Sequence, residues 1–377
     1  MSNSVLIAHP SADLYGSDRV MLETVEALTS RGNQVVVTLP ATGPLVAEIR
    51  ARGAVVRICP SPVLRKSALR PLGILRLLRE SLRSVWPSVR LIRQIQPDVV
   101  FVNTITIPLW LMLAKALRLP SICHVHEAEG SLSPLVRRGL TLPLLFADRL
   151  VANSKFSVGV LASAFDKLGR RTTVVYNAVA SPPLVRPARA ELAGQCRLLY
   201  LGRLSPRKGP QVALQAVERL AELGIDAHLD VTGAVFPGYE WFERELRESV
   251  ARGDLDERVS FHGYQADVWP YLADADIVVV PSIVDEPFGN TAVEAVLAGR
   301  PLVVSATGGL LEAAEGYASA QHVSPGRPEL LAAAIATVVG SWSKYRDQAA
   351  ADRSIARERH RPELYREQIA AIVSGVA

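Results

Sequence analysis

The sequence predicts an α/β protein with two doubly wound domains, each built on a parallel sheet. Short apolar strands alternate with helical stretches along the chain, which is the pattern of parallel sheets covered by helices. The alternation is interrupted from Ser181 to Pro187, where prolines cluster, and then resumes. At 377 residues the chain is too long for one ordinary domain. We therefore predict an N-terminal domain over 1–183 and a C-terminal domain over 188–355.

The predicted strands fall into two similar sets. The first half contains Val5-Ala8, Val35-Leu39, Val99-Val102, Ser121-Val125, Leu150-Asn153 and Thr173-Tyr176, and the second half contains Arg197-Tyr200, His228-Thr232, Val259-Phe261, Ile277-Pro281 and Leu302-Val304. Two such halves joined by a proline-bearing linker predict a cleft between domains, where ligands usually bind.

The composition is typical of a folded protein and argues against disordered, disulfide-rich and membrane-spanning classes. Apolar residues make up 49% and charged residues 21%, which is enough for two cores and unlike a disordered chain. Three scattered cysteines, Cys59, Cys123 and Cys196, match neither a disulfide framework nor a metal-binding pattern, and we expect them to be small core residues. The N-terminus is typical of a strand rather than an export signal, and the apolar runs are too short to span a bilayer. We expect a cytoplasmic protein, soluble or peripheral to a membrane.

The stretch from Glu286 to Val304 is the most informative in the chain. A strand leads into a loop with Glu286, Phe288 and Gly289, and a helix then starts at Asn290-Thr291. Amides at a helix N-terminus attract phosphate, and carboxylates suit the hydroxyl groups of sugars and ribose. The pattern predicts a nucleotide-sugar site. Thr291 and Glu294 also have the spacing of a capping box, so Glu294 has an alternative structural role, whereas no structural partner for Glu286 is evident from the sequence.

A second loop brings positive charge to the start of the C-terminal domain. Gly202 allows a tight turn after the first strand, and Arg203 and Lys208 follow before a helix starting at Pro210. Two cations at the carboxyl end of a strand would neutralise a departing nucleoside diphosphate. A solvated basic turn is the alternative.

The first half offers two further candidates. Gly16 precedes a helix after the first strand, but no three-glycine frame is present, which argues against a nicotinamide-dependent dehydrogenase. His124 and His126 share one face of a strand, with His126 at its carboxyl end. A lone pair of histidines is weak evidence for a metal. A hydrogen-bonded core position suits His124 better.

These motifs together resemble the signature motifs of retaining glycosyltransferases of family four. Enzymes of that family have the GT-B fold, which consists of two facing Rossmann-like domains. The resemblance covers nearly the whole chain and is strongest over 202–309, where Glu286 and Glu294 flank seven residues. It implies a C-terminal helix over about 360–377 that packs back on the N-terminal domain. It also implies catalytic roles for His126, Arg203, Lys208 and Glu286. The donor would be bound by residues in both halves: Gly16, Gly202, Phe288, Gly289, Asn290, Thr291 and Glu294.

The resemblance also implies the reaction, which is sugar transfer from a nucleotide-diphosphate donor to a saccharide or lipid-linked acceptor with retention of configuration. The expected pathway is cell-surface polysaccharide or glycolipid synthesis. No Asp-x-Asp clamp is evident near the donor loops, so we expect no metal and no cofactor besides the donor substrate. A sugar-nucleotide epimerase of the same architecture and a non-catalytic nucleotide-sugar-binding protein remain alternatives.

The segment from Arg65 to Arg93 is strongly basic. It carries eight Lys or Arg residues against one acid, Glu80, with leucines and Trp86 interleaved at near-helical spacing. Basic amphipathic helices of this kind bind anionic membrane surfaces, and the net charge of +5 agrees. An ordinary surface helix with a solvated basic face is the alternative. Nucleic acid is a poorer partner because stacking aromatics and binding motifs are scarce.

Overall fold

A computed structural model describes residues 3–14, 16–64, 71–127 and 130–376. The chain divides into two compact units, the first comprising Met1–Ala178 with Pro362–Ala377 and the second Val179–Arg361. The division falls just before the linker predicted at Ser181 to Pro187. The Val179 amide donates to the His360 carbonyl at 3.0 Å, and the buried Arg300 guanidinium donates to the Arg186 carbonyl at 2.9 Å. These bonds hold both ends of the linker to the second unit.

The first unit has seven strands and eight α-helices in the described residues. The strands are β1 (Ser4–Ala8), β2 (Gln34–Leu39), β3 (Val55–Ile58), β4 (Val99–Val102), β5 (Ser121–Val125), β6 (Arg149–Ala152) and β7 (Thr172–Val174). The helices are α1 (Gly16–Thr29), α2 (Leu45–Ala51), α3 (Pro71–Ile95), α4 (Leu109–Ala116), α5 (Pro134–Thr141), α6 (Lys155–Ala164), α7 (Asp166–Arg171) and the C-terminal helix, numbered α15 (Pro362–Ser374).

The first sheet is parallel in the order β3-β2-β1-β4-β5-β6-β7. Alternate residues of β1 enter two cores, with Val5 and Ile7 on one face and Leu6 and Ala8 on the other. All four side chains are fully buried, as expected for a central strand covered by helices on both faces. The order of successive strands switches between β1 and β4, and ligands of doubly wound sheets usually bind beside the carboxyl ends of the strands at such a switch.

Helix α15 completes one face of the first unit by packing on α1. The Tyr365 hydroxyl lies 2.7 Å from the Thr24 hydroxyl, and Arg366 forms an ion pair with Glu23 at 2.7 Å. The C-terminal residues therefore belong to the N-terminal core.

The second unit has six strands and seven α-helices. The strands are β8 (Cys196–Leu201), β9 (Ala227–Thr232), β10 (Val259–Gly263), β11 (Ile277–Val280), β12 (Leu302–Ser305) and β13 (Ala320–Val323). The helices are α8 (Pro210–Glu222), α9 (Glu240–Arg252), α10 (Trp269–Asp274), α11 (Asn290–Leu297), α12 (Gly308–Ala313), α13 (Pro328–Gly340) and α14 (Trp342–Arg359).

The second sheet repeats the topology of the first, with parallel strands in the order β10-β9-β8-β11-β12-β13. Its switch in strand order lies between β8 and β11. The three cysteines are free and buried, as predicted. Among the described residues, no helix is long and apolar enough to cross a membrane.

Candidate active site

Polar side chains gather at the carboxyl edge of each sheet, next to the switch in strand order. In the second unit they come from the loops after β8 and β11. In the first unit they come from the loops after β1, β4 and β5.

The loop after β8 presents Arg203. Its guanidinium carbon lies 3.4 Å from the centre of the Phe236 ring, an arrangement that fixes a cation on an aromatic face. The buried Tyr200 hydroxyl donates to the Arg203 carbonyl at 2.9 Å. Gly202 has a φ of 152° and its amide donates to the Thr232 carbonyl at 2.9 Å. The Gly202 N–H therefore already has an acceptor within the protein. Gly202 contributes the backbone conformation of the loop rather than a hydrogen bond to a ligand.

Lys208 and Glu286, which are 78 residues apart, meet in the second unit. The Lys208 ammonium lies 2.7 Å from Glu286 Oε2, and the Ser282 hydroxyl donates to Oε1 at 3.0 Å. Glu286 is 7% exposed, whereas Ser282 is fully buried. The expectation that Glu286 has no structural partner is therefore wrong. The two residues predicted to be functional are also each other's partners, because neighbouring parallel strands end at the same edge.

A backbone hydrogen bond joins these two loops, since the Ile283 amide donates to the Arg207 carbonyl at 2.8 Å. The Gly309 amide of α12 donates to the Glu286 carbonyl at 2.6 Å and so anchors the loop after β11 from its other side. Gly209 has a φ of 72°, and a Cβ there would lie 2.0 Å from the Pro281 carbonyl oxygen. A side chain at that position would push the two loops apart.

Helix α11 starts at Asn290, as predicted, and its N-cap is Gly289. The amides of Asn290 and Thr291 are in the first turn, where N–H groups have no acceptor within the helix. Thr291 lies inside the helix rather than at the N-cap, so the alternative capping box with Glu294 does not match this boundary. Phe288 is 2% exposed, with its ring 5.6 Å from that of His360. Its side chain is a core residue, and only its backbone is left for donor binding.

The first unit holds a chain of four side chains that ends at His126. Asp18 Oδ1 lies 2.7 Å from His9 Nε2, His9 Nδ1 lies 3.1 Å from the Asn103 amide nitrogen, and the Asn103 oxygen lies 3.0 Å from His126 Nε2. Helix α1 begins at Gly16, so a helix N-terminus does occupy the predicted place.

Burial lowers the pKa of His126 to about 3, with the neighbouring His9 acting in the same direction and Asp18 opposing it. His126 is therefore neutral at ordinary pH and acts as a hydrogen-bonding group rather than a cation. The next residue, Glu127, accepts from the amides of His126 at 3.1 Å and Ile105 at 3.3 Å. Burial raises the pKa of this carboxyl, whereas its hydrogen bonds from Thr104 and these amides lower it.

His124 lies next to His126, with ring centroids 4.0 Å apart, as expected for two residues on one face of a strand. The expectation that it is a hydrogen-bonded core histidine is wrong in one respect. It is fully buried, but neither ring nitrogen has a hydrogen-bond partner among the described residues. Burial and the proximity of His126 keep its pKa well below the usual value, so the ring packs as a neutral aromatic.

Sequence reasoning missed His9, Asp18, Asn103 and Glu127. The available signal was position, because these residues follow β1, β4 and β5, which are neighbours in the sheet. Within the described part of the chain, no cluster of three His, Cys, Asp or Glu side chains could hold a metal ion.

Two family models match the chain, one in each half. The model of glycosyltransferase family 4 matches residues 15–181, and that of glycosyl transferases group 1 matches residues 186–354. Together they cover most of the sequence. The chain therefore belongs to the family-four type of glycosyltransferases.

Curated relatives agree with this class. The chain is 29% identical to glycogen synthase of Mycobacterium tuberculosis over 290 residues, which are 71% of this chain and 65% of that one. It is 32% identical to D-inositol 3-phosphate glycosyltransferase of an Arthrobacter strain over 178 residues, 44% of this chain and 41% of that one. The chain thus matches less than two thirds of the length of these relatives.

Solved structures confirm the predicted GT-B fold class. HepE from Anabaena, solved with UDP-glucose, has a TM-score of 0.83 at 24% identity, with 99% of this chain and 100% of that one covered. Sucrose-phosphate synthase from Thermosynechococcus elongatus has a TM-score of 0.78 at 19% identity, covering 99% and 98%.

Proposed function

We propose that this protein is a retaining glycosyltransferase that moves a sugar from a nucleotide-diphosphate donor to an acceptor hydroxyl without a metal ion. The observation that carries the proposal is the Lys208–Glu286 pair, held at 2.7 Å where the loops after β8 and β11 meet. This pair places a cation that can bind phosphate and a carboxylate that can bind hydroxyl groups at the same edge of the sheet. HepE binds UDP-glucose, which supports a donor of this chemical class.

Each residue has a distinct role in this proposal. Arg203, Lys208 and the amides of Asn290 and Thr291 bind the diphosphate, since cations and helix N-termini both favour negative charge. Glu294 accepts hydrogen bonds from the ribose hydroxyls, and Glu286 accepts them from the transferred sugar.

The chemical step is a front-face displacement. The acceptor oxygen forms a bond to the anomeric carbon while the bond from that carbon to the phosphate oxygen breaks. The acceptor proton passes to the departing phosphate oxygen. Lys208 and Arg203 then stabilise a charge that grows as the bond breaks, which lowers the barrier rather than merely tightening binding.

A panel of UDP-, GDP-, ADP- and dTDP-sugars tests the proposal by thermal unfolding. A donor at about 100 times its dissociation constant adds about 2.7 kcal/mol, and we expect one nucleotide class to raise the unfolding temperature. The same rise is expected in excess EDTA. With that donor, transfer to a saccharide or lipid-linked acceptor should give a product of unchanged anomeric configuration, read by NMR. No stabilisation by any donor would contradict the proposed function, whereas a rise abolished by EDTA would contradict only the metal-free mechanism.

We also propose that the first unit contacts an anionic membrane through α3, as expected for an enzyme of cell-surface polysaccharide or glycolipid synthesis acting at the cytoplasmic face. Arg65, Lys66, Leu69 and Arg70 of the predicted basic segment lie outside the described residues, as do the side chains of Leu72 and Arg76. The part of the segment that the structure describes supports the proposal. It carries an apolar stripe on α3 that faces solvent. The residues of this stripe are between 55% and 76% exposed, namely Leu75, Leu78, Leu82 and Trp86. Exposed arginines lie beside this stripe, namely Arg79, Arg83, Arg90 and Arg93.

Flotation with vesicles containing anionic lipid tests this surface. Arg79→Gln with Arg83→Gln should weaken binding by about 2 kcal/mol, roughly thirtyfold, since each basic residue near such a surface contributes about 1 kcal/mol. The matched control is Arg244→Gln with Arg252→Gln, two exposed arginines of α9 in the second unit. Equal flotation of both double variants, or no flotation of the wild type at low salt, would show that the basic face is only solvated.

A further inference from the structure

The first unit has a pocket at the amino edge of its sheet, the edge opposite to the one that carries the candidate site residues. This amino-edge pocket lies where β5 and β6 begin, next to the end of α4 and the residues that follow α15. Its volume is about 490 Å³, and it is lined by residues of the first unit alone. Pockets of about 300–1,000 Å³ are of the size that binds small molecules.

Positive charge dominates the amino-edge pocket. Among the described residues that line it, three cations, Lys115, Arg118 and Arg149, face one carboxylate, that of Asp148. In the part of the chain that the structure describes, none of these three cations forms a hydrogen bond or an ion pair through its side chain. Asp148 is engaged elsewhere, since its Oδ2 accepts from the Ser121 amide at 2.9 Å and from the Ser121 hydroxyl at 3.2 Å. The unpaired cations repel one another, so a bound anion would be stabilised among them.

Arg118 occupies a backbone position that usually belongs to glycine. Helix α4 ends at Ala116, and Arg118 follows with a φ of 57°. The Leu119 amide then closes the helix end by donating to the Ala114 carbonyl at 2.9 Å. Glycine is favoured at the left-handed residue of such an end, because a Cβ is strained there. Strained backbone is concentrated at functional sites, and here it holds a cation at the pocket.

The amino-edge pocket also has an apolar part. Half-buried Leu119, Pro120 and Val376 belong to its lining. Inorganic phosphate would leave this apolar surface in contact with water, whereas the carbon skeleton of a phosphate ester would cover it. The lining therefore suits a ligand that has both an anionic group and an apolar group.

We propose that the amino-edge pocket binds a small organic phosphate. The phosphate pairs with Lys115, Arg118 and Arg149, and the carbon skeleton packs on the apolar part of the lining. A phosphate group accepts several charge-assisted hydrogen bonds at once, and the planar guanidinium of arginine matches its geometry. The site uses no residue of the candidate active site and so does not rest on the proposed function.

An NMR titration with phenyl phosphate tests the site in protein labelled with 15N-glycine. Gly375 lines the pocket, and Gly375→Ala assigns its amide signal. Phenyl phosphate should shift this signal, whereas phenol, which lacks the phosphate, should not. Inorganic phosphate should bind more weakly than phenyl phosphate, because it cannot cover the apolar residues. An unmoved Gly375 signal at high phenyl phosphate overturns the site, and equal affinity for the two phosphates overturns the role of the apolar part.

Arg118→Gln with Arg149→Gln should raise the dissociation constant for phenyl phosphate about tenfold or more, since charge-assisted hydrogen bonds from both guanidinium groups are lost. The matched control is Arg50→Gln with Arg57→Gln, two exposed arginines of α2 and β3 in the same unit. This control removes the same amount of charge and should leave the dissociation constant unchanged. Equal weakening in both double variants would show an effect of net charge alone and overturn the pocket.

A lipid headgroup is a second source of an ester phosphate, and flotation with phosphatidylglycerol vesicles separates the two sources. Arg118→Gln with Arg149→Gln should float as the wild type does, because the proposed ligand is a soluble molecule. If this double variant loses flotation while phenyl phosphate leaves the Gly375 signal of the wild type unmoved, the pocket is a membrane contact and the proposal is wrong.

Discussion

Glu286→Gln is expected to lower the turnover number of sugar transfer about a hundredfold or more while leaving the protein folded. The amide has the shape of the carboxylate and can still accept from Ser282, but it carries no charge to pair with Lys208. Removing one preorganised charge-stabilising group from an active site typically costs about 10²–10³ in rate. Lys208→Met should act similarly, and the double variant should lose less than the product of the two effects, because the residues contact each other at 2.7 Å.

The control for this change is Glu222→Gln. Glu222 pairs with Arg219 at 2.9 Å on the solvent-facing side of α8 in the same unit. Exposed pairs of this kind contribute little to stability, so both turnover and folding should stay near wild type. Normal turnover by a folded Glu286→Gln variant would remove Glu286 from the site.

Gly209→Ala should have the second large effect, by separating the two loops rather than by removing a functional group. Its Cβ would lie 2.0 Å from the Pro281 carbonyl oxygen, so backbone must move. Gly224→Ala is the matched control, because Gly224 has a similar φ of 74° with nothing within 4 Å of a Cβ. Both variants pay about 1–2 kcal/mol for a left-handed residue with a side chain.

Only Gly209→Ala adds the clash, at about 1–3 kcal/mol more. Urea unfolding of the two variants measures this difference, and transfer assays show whether the displaced loops also lose activity. If both variants lose the same stability and keep the same turnover, the close approach of the loops is not required for the site.

The strands in the middle of each sheet were predictable from sequence, whereas two edge strands were missed. Central strands such as β4 and β11 are continuous buried apolar runs. β3 is an edge strand of the first sheet, with Val55 and Ile58 exposed, and β13 is an edge strand that contains Gln321 and His322. Edge strands are covered less completely, so their composition carries a weaker signal.

The residues of the candidate site were predictable from sequence, whereas the contacts between them were not. The motifs of the two loops identified Arg203, Lys208 and Glu286 as candidates. The Lys208–Glu286 bond, however, depends on β8 and β11 being neighbours in the sheet. The hydrogen-bonded chain of side chains that ends at His126 was hidden for the same reason, since it joins residues that follow β1, β4 and β5, and these strands are neighbours only in the folded sheet. Burial of Phe288 by His360 was likewise set by tertiary packing.

The central claim is that Lys208 and its loop bind the diphosphate of a nucleotide sugar. Isothermal titration of UDP, GDP, ADP and dTDP into the wild type and Lys208→Met measures this most directly. Charge-assisted hydrogen bonds contribute about 1.5–3 kcal/mol, so one nucleoside diphosphate should bind the wild type and bind Lys208→Met about ten- to a hundredfold more weakly. Equal affinity of the two proteins for that diphosphate would contradict the claim.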